Sequence, residues 1–411
     1  MANVYDILAE RGFIYQVTDE AALRQALERP LTLYCGYDMT ATSLHIGNLT
    51  TIMLLLHLQR AGHRIIAVVG AGTSMVGDPS GKTTARPILS REEIAANQGC
   101  IKAQLARFLD FEGGRALMVN NADWLLELNY VQFLREIGRH FSIAEMLAAE
   151  TYRQRLETGL TYLEFSYRLL QAYDFLHLFR SYDCLLQVGG SDQWGNITAG
   201  VDLIRRVEAR QAFGLVIPLL TTSSGAKMGK TEAGAIYLSA ERTSPYDFYQ
   251  YWINTEDADV GRFLAIYTFL PMDEVRALAA LEGAELRRAK ETLAFEVTTL
   301  VHGRQAAEEA REASRALFGP GRPTGAALEA VPTTHIPRAR LAAGIAATQL
   351  FAETGLAVSA SAARRLIQQG GAYVGERRVD DVNAAITDEA LEDGEILLRA
   401  GKKSYHRVVA D

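Results

Sequence analysis

Tyr34-Cys35-Gly36-Tyr37-Asp38-Met39-Thr40-Ala41-Thr42-Ser43-Leu44-His45-Ile46-Gly47-Asn48 is the stretch that decides the fold. Leu31 to Gly36 is a short apolar run that reads as a strand, and from Leu49 to Arg60 apolar residues recur at helical spacing. A strand that turns tightly into a helix leaves free N–H groups and the positive end of a helix dipole at the strand's carboxyl end. Such a place suits an anion. His45 adds ring nitrogens there, and Gly47 lets a flat ligand approach the backbone. These residue types suit a nucleotide.

Further strands follow. Ile65–Val69 precedes Gly70-Ala71-Gly72, Ala116–Val119 is next, Cys184–Val188 ends in Gly189-Gly190, and Leu215–Leu220 is the last. Strands alternating with helical stretches predict an α/β fold with a doubly wound parallel sheet. Ligands of such sheets bind beyond the carboxyl ends of the strands. Tyr34 to Gly36, Gly70 to Gly72, Gly189 to Asp192 and the loop after Thr222 all fall there. Residues 1–222 are expected to form this domain, interrupted by a helical insertion at about 91–165. Residues 223–318 are expected to form a loop carrying Lys227 and Lys230 and then a helical domain, 319–340 a linker opened by Gly319-Pro320-Gly321-Arg322-Pro323, and 341–411 a small α+β module.

The 411 residues allow two or three domains. A hydrophobic share of 48% with 22% charged residues is that of an ordinary soluble protein. The net charge of -7 excludes a bulk polycation, so any nucleic-acid surface must be local. Cys35, Cys100 and Cys184 are scattered without zinc spacing, which fits a reducing cytoplasm with neither disulfides nor a protein-bound metal. No signal peptide or membrane span is expected.

Ser166 to Asp174 reads as a helix with Tyr167, Gln171 and Asp174 on one face and Leu169, Leu170 and Ala172 opposite. The polar stripe faces either solvent or a cleft, and spacing does not decide. Asp78, in Gly77-Asp78-Pro79-Ser80-Gly81, is equally at home in a turn, and Asp192 as a helix cap.

The run ending His45-Ile46-Gly47-Asn48 resembles the HIGH signature of class I aminoacyl-tRNA synthetases, and Lys227-Met228-Gly229-Lys230-Thr231 resembles their KMSKS loop. With the YCGYD start, GDPSGK, GGSDQWGN and the Tyr167/Gln171/Asp174 stripe, essentially the whole chain is similar to the bacterial tyrosyl-tRNA synthetases. The resemblance implies a Rossmann-like core and a cytoplasmic enzyme that takes ATP with its Mg2+, L-tyrosine and tRNA(Tyr), working as a homodimer joined through about residues 120–162. It implies that Tyr34 and Asp174 bond the substrate phenol, that Asp78, Tyr167 and Gln171 hold the ammonium group, and that Gln193 sits near the carboxylate. Asp192 would bind the ribose with Cys35 or its backbone, and Gly36, Asp38, Gly47, Asn48 and Gly190 would also line the ATP site. Thr40, His45, Lys82, Arg86, Lys227 and Lys230 would surround the triphosphate. No protein nucleophile is needed: catalysis is positioning and neutralisation of charge on the leaving group. Two positions depart from the signatures: Asn48 stands at the last place of HIGH, and Gly229 makes the second loop KMGKT.

From Leu341 onward there are eight Lys/Arg against ten Asp/Glu, so the tail is not basic overall. Its cations are paired: Arg364-Arg365, Arg377-Arg378 and Lys402-Lys403. Residues 359–378 read as helix, Gly-Gly turn and hairpin, which resembles the small α-L RNA-binding domain. Alternatives are a tryptophan-specific relative, a non-catalytic RNA-binding protein on the same scaffold, and a nucleotidyltransferase sharing only the first signature.

Overall fold

The computed structural model describes residues 3–39, 41–80, 90–148, 152–153, 156, 159–225, 228–231, 234–318, 331–392, 394–401 and 404–411, without the side chains of Arg91, Lys230, Thr231, Leu317 and Phe318. The chain divides into two compact units, Met1–Gly229 with Gly261–Ala277, and Lys230–Val260 with Leu278–Asp411.

The first unit is built on a six-stranded sheet: β1 (Gln16–Val17), β2 (Thr32–Tyr37), β3 (Arg64–Val69), β4 (Ala116–Asn120), β5 (Cys184–Gly190) and β6 (Phe213–Ile217), in the order β1-β6-β5-β2-β3-β4. All neighbours are parallel except β1, which runs antiparallel on the β6 edge. β3 and β6 are buried almost throughout, as parallel strands covered on both faces must be. The last strand ends at Ile217 rather than Leu220, because Pro218 has no N–H to give a ladder. β4 pairs with β3, so the helix Arg91–Leu105 is a crossover and part of the 91–165 stretch belongs to the sheet.

The helix Ile46–Arg60 is apolar nearly all round and buried along most of its length. His57 on it packs between Phe13 and Phe269, and burial pushes its pKa down to about 3, leaving a neutral ring. Arg11 donates to the carbonyls of Ala265 (2.8 Å), Thr268 (2.9 Å) and Leu270 (2.5 Å). Ala265 lies in the last turn of the helix Val260–Tyr267 and Thr268 and Leu270 just beyond it, so one guanidinium ties the helix end and the chain leaving it into this unit.

In the second unit the helices Pro245–Ile253, Leu286–His302 and Arg304–Phe318 pack together. Ser244 caps the first, with Pro245 at its opening turn. The tail forms its own core of Leu341, Leu350, Phe351, Ile367, Leu398 and Val408. Its sheet runs Arg377–Arg378, Ala372–Val374, Glu395–Ala400, Ser404–Ala410, Thr333–Ile336. The predicted helix, turn and hairpin of 359–378 are present. Leu397 and Tyr405 of this sheet also pack on Tyr246, Ala313 and Val331, so the tail shares an apolar seam with the helices. No described helix is long and apolar enough to cross a membrane.

Candidate active site

The helix Tyr162–Tyr182 begins with a capping box between Thr161 and Glu164. Its polar stripe points inward: Tyr167 and Asp174 are buried and Gln171 is half-buried; opposite, Ala172 is fully buried and Leu169 and Leu170 are half-buried. The helix is thus enclosed on both faces, and its polar face carries the hydrogen bonds of the site.

Asp174 is 4% exposed. Its Oδ2 accepts from Asn121 Nδ2 at 2.9 Å and its Oδ1 from the Trp124 indole N–H at 2.7 Å. Asn121 is itself fixed, accepting from the Gly72 N–H at 2.8 Å and donating to Thr73 Oγ1 at 2.9 Å. Burial pushes the Asp174 pKa up to about 7, and the two donors hold it from rising further. Tyr34, on β2, places its ring 5.3 Å from Phe175. Its hydroxyl is buried and has no hydrogen-bond partner among the described residues. Burial and the nearby Asp174 charge raise its pKa well above the ordinary phenol value. Asn121 and Trp124 were not among the residues expected at the site. Their signal was position, since Asn120-Asn121-Ala122-Asp123-Trp124 follows the carboxyl end of β4. Trp124, Leu125 and Phe133 pack into the chain's own core, while Leu126, Tyr130 and Leu134 are exposed.

A second network joins Asp78, Gln171, Asp192 and Gln193. Gln193 Nε2 donates to Asp78 Oδ2 at 2.8 Å and approaches Asp192 Oδ2 at 3.4 Å, and Gln171 Nε2 reaches Gln193 Oε1 at 3.4 Å. The Ser80 N–H donates to Asp78 Oδ1 at 2.9 Å. Asn196 reaches Ser80 Oγ and Gln193 Oε1, both at 3.2 Å, and is a further residue of the site, one for which the sequence implied no role. Asp78 is buried, so its turn is a wall of the site rather than surface punctuation. Gly190 closes β5 immediately before Asp192.

At the end of β2, Gly36 is exposed, Asp38 follows the strand, and the Cys35 thiol is buried and held above the usual thiol range, at about 12, by that burial. His45 is the residue before the helix Ile46–Arg60, and Asn48 Oδ1 accepts from its backbone N–H at 3.1 Å. Asn48 thus fastens the helix start with its oxygen. A Cβ on Gly47 would lie 2.8 Å from His45 Cε1 and 2.9 Å from Nδ1. The glycine leaves room for the imidazole laid over it, and a larger residue would push that ring aside. The second signature is seated on the first: Gly229, at φ +78°, brings its Cβ position within 3.3 Å of Ile46 Cβ and 3.7 Å of the Gly47 nitrogen. Met228 is buried, and its sulfur accepts from the Tyr267 hydroxyl at 3.2 Å. Tyr267 also bonds Thr50 Oγ1 at 2.7 Å, one turn along the same helix. Thr40, Lys82, Arg86 and Lys227 lie outside the described residues, as do the Lys230 side chain and, in the tail, Lys402 and Lys403. Arg364, Arg365, Arg377 and Arg378 are exposed.

The family described as tRNA synthetases class I (W and Y) matches residues 25–319, and the tyrosine–tRNA ligase SYY-like C-terminal domain matches residues 326–408. The chain is 54% identical to the tyrosine–tRNA ligase of Desulfosudis oleivorans over 427 residues, 99% of each chain. It is 54% identical to that of Syntrophus aciditrophicus over 423 residues, 98% of each. Among solved structures, a C-terminally truncated mitochondrial tyrosyl-tRNA synthetase of Aspergillus nidulans matches at TM-score 0.70 and 30% identity, covering 77% of this chain and 95% of that one. The chain therefore belongs to the class I tRNA synthetases, within their tyrosine–tRNA ligase branch.

Proposed function

We propose that the protein joins L-tyrosine to tRNA(Tyr) in two steps. Tyrosine and ATP give enzyme-bound tyrosyl-adenylate and diphosphate, and the adenylate and tRNA give tyrosyl-tRNA and AMP. The tyrosine carboxylate attacks the α-phosphorus directly, with Mg2+ arriving on ATP. The observation that carries this reading is the pairing of a buried carboxylate, Asp174, with a buried hydroxyl lacking a partner among the described residues, Tyr34. A phenol completes both: it donates to Asp174 and accepts from Tyr34. An indole N–H only donates and leaves Tyr34 unmatched, and a phenyl ring satisfies neither. This favours tyrosine over tryptophan.

Asp78, Tyr167 and Gln171 then hold the ammonium group and Gln193 the region of the carboxylate. Asp192, the Cys35–Gly36 backbone, Asp38, Gly47, Asn48 and Gly190 line the nucleoside. His45 works with Thr40, Lys82, Arg86, Lys227 and Lys230 on the triphosphate, neutralising charge as diphosphate leaves. Arg364, Arg365, Arg377, Arg378, Lys402 and Lys403 meet tRNA through phosphate contacts, which weaken with salt. Pyrophosphate–ATP exchange that depends on tyrosine, and not on tryptophan or phenylalanine, is the expected result. Exchange driven by tryptophan overturns the substrate assignment.

The working form is a cytoplasmic homodimer. Eight of the eleven exposed large hydrophobic side chains among the described residues lie between Leu126 and Leu163, including Tyr130, Val131, Ile143 and Tyr162. Such clustering marks a surface that another chain covers. A concentration-independent monomer mass in sedimentation removes the dimer from this reading.

A further inference from the structure

The outer face of the C-terminal sheet carries an alternating row. Arg378 stands opposite Tyr373, Tyr373 opposite Arg399, and Arg399 opposite Tyr405. Directly opposed residues on antiparallel strands project to the same face, so cation, ring, cation and ring lie side by side across four strands. The other face, with Ala372, Leu398 and Val408, is buried in the module's core. One end of the row is closed where Tyr405 packs against Tyr246 and Val331. At the other end Arg378 is exposed and bonds Asp380 at 2.5 Å. Between them the Arg399 guanidinium lies 3.8 Å from the centre of the Tyr373 ring. Arg399 is half-exposed and has no carboxylate partner among the described residues, whereas Arg407 on the same sheet is paired with Glu395.

We infer that the Tyr373–Arg399 pair is a stacking site for an unpaired base of the bound RNA. The inference rests on the tRNA-ligase reading above and deepens it. An arginine lying on a tyrosine ring is held as a flat, charged platform, which suits a nucleobase on its outer face and a phosphate at its edge. Base-paired RNA hides its ring faces within the stack, so the ligand class is a looped-out or bulged nucleotide.

The test compares the full-length protein with Arg399→Lys, Arg399→Ala, Tyr373→Leu and Tyr373→Phe. Binding of transcribed tRNA(Tyr) is measured across a salt series, with thermal melting and tyrosine-dependent pyrophosphate exchange alongside. Arg399→Lys keeps the charge and loses the plane, so affinity should fall about tenfold with the salt slope unchanged. Arg399→Ala should lose more affinity than Arg399→Lys and also about one unit of slope. Tyr373→Leu should match Arg399→Lys, and Tyr373→Phe, which keeps the ring, should bind like wild type. Wild-type binding by both Arg399→Lys and Tyr373→Leu overturns the stacking site. So does a loss in Tyr373→Leu that Tyr373→Phe does not rescue. Failure of the wild-type protein in tyrosine-dependent exchange is a separate outcome, because it overturns the enzymatic reading itself.

Discussion

The two ends of the candidate active site are held in place by different physics. At the Asp174 end the groups are buried, polar and incompletely matched: a carboxylate with a raised pKa stands near a phenol hydroxyl that has no partner among the described residues. At the His45 end the contacts are steric. An imidazole lies over Gly47, Gly229 rests on Ile46, and Met228 is pinned by a hydroxyl that Thr50 shares. The first arrangement is poor in energy until a ligand completes it, so damage there should appear in amino-acid affinity and specificity. The second fixes distances around the reacting phosphate, so damage there should appear in the rate.

The largest effect tests the first half of that contrast. Asp174→Ala strands the Asn121 and Trp124 donors as well as the substrate phenol, and should lower kcat/KM for tyrosine activation about a thousandfold. Unchanged activation kinetics place the phenol elsewhere. Proton linkage gives an independent check. Asp174 titrates near 7, and below that it is protonated and a weaker acceptor for the phenol. Tyrosine affinity should therefore weaken about tenfold between pH 8 and pH 6. The empty protein behaves oppositely. The folded-state pKa of about 7 lies above the ordinary 3.8, so the fold binds the proton more tightly than the unfolded chain. Stability from this group is present below about pH 4 and is lost as pH rises to about 7. Calorimetry with and without tyrosine across this range separates the two trends.

The next effect tests the second half. Gly47→Ala adds a methyl where His45 Cε1 lies, 2.8 Å away. Alanine favours the helix by about 1 kcal/mol, so the fold should tolerate it. The displaced imidazole should slow adenylate formation about thirtyfold while equilibrium tyrosine binding stays within twofold. A loss of tyrosine affinity instead makes the two ends one mechanical unit and breaks the comparison.

Legibility in the sequence follows the same division. The parallel strands were readable because strands buried on both faces are continuous apolar runs, as in Ile65–Val69. The His45 turn was readable because strand, turn and helix are contiguous. The inward orientation of Tyr167, Gln171 and Asp174 was not, because their helix is enclosed on several sides and its leucine face looks as buried as its polar one. Asn121 and Trp124 act through space from a segment more than 70 residues beyond the motif, and nothing local announces a bond to Asp174. The role of Tyr267 was hidden for the same reason, since its partners are 39 and 217 residues away along the chain.

A smaller effect sharpens the steric half. Tyr267→Phe removes the hydroxyl that joins Thr50 to Met228. The phenyl ring keeps its packing, so the stability cost should be about 1 kcal/mol. The seat of Met228 and Gly229 loosens, and single-turnover adenylate formation should slow about fivefold with tyrosine affinity unchanged. Thr50→Val removes the other hydroxyl but leaves the Tyr267–Met228 contact, and should slow the rate less. If Thr50→Val costs the more, the helix rather than the loop depends on this bond.

The smallest effect concerns the hydroxyl of Tyr34. Burying an O–H without a partner costs about 1 kcal/mol or more. Tyr34→Phe removes that cost and keeps the ring against Phe175, so the empty protein should become more stable by about that amount. With tyrosine bound the sign reverses, because the substrate oxygen has lost its donor. Affinity for tyrosine should fall about threefold to tenfold, and discrimination against phenylalanine should weaken modestly, since Asp174 still demands the substrate hydroxyl. Melting curves of both proteins, each with and without saturating tyrosine, read the two signs directly. A Tyr34→Phe protein that melts lower when empty shows that the hydroxyl is already satisfied before substrate arrives, and the Asp174 end is then no less complete than the His45 end.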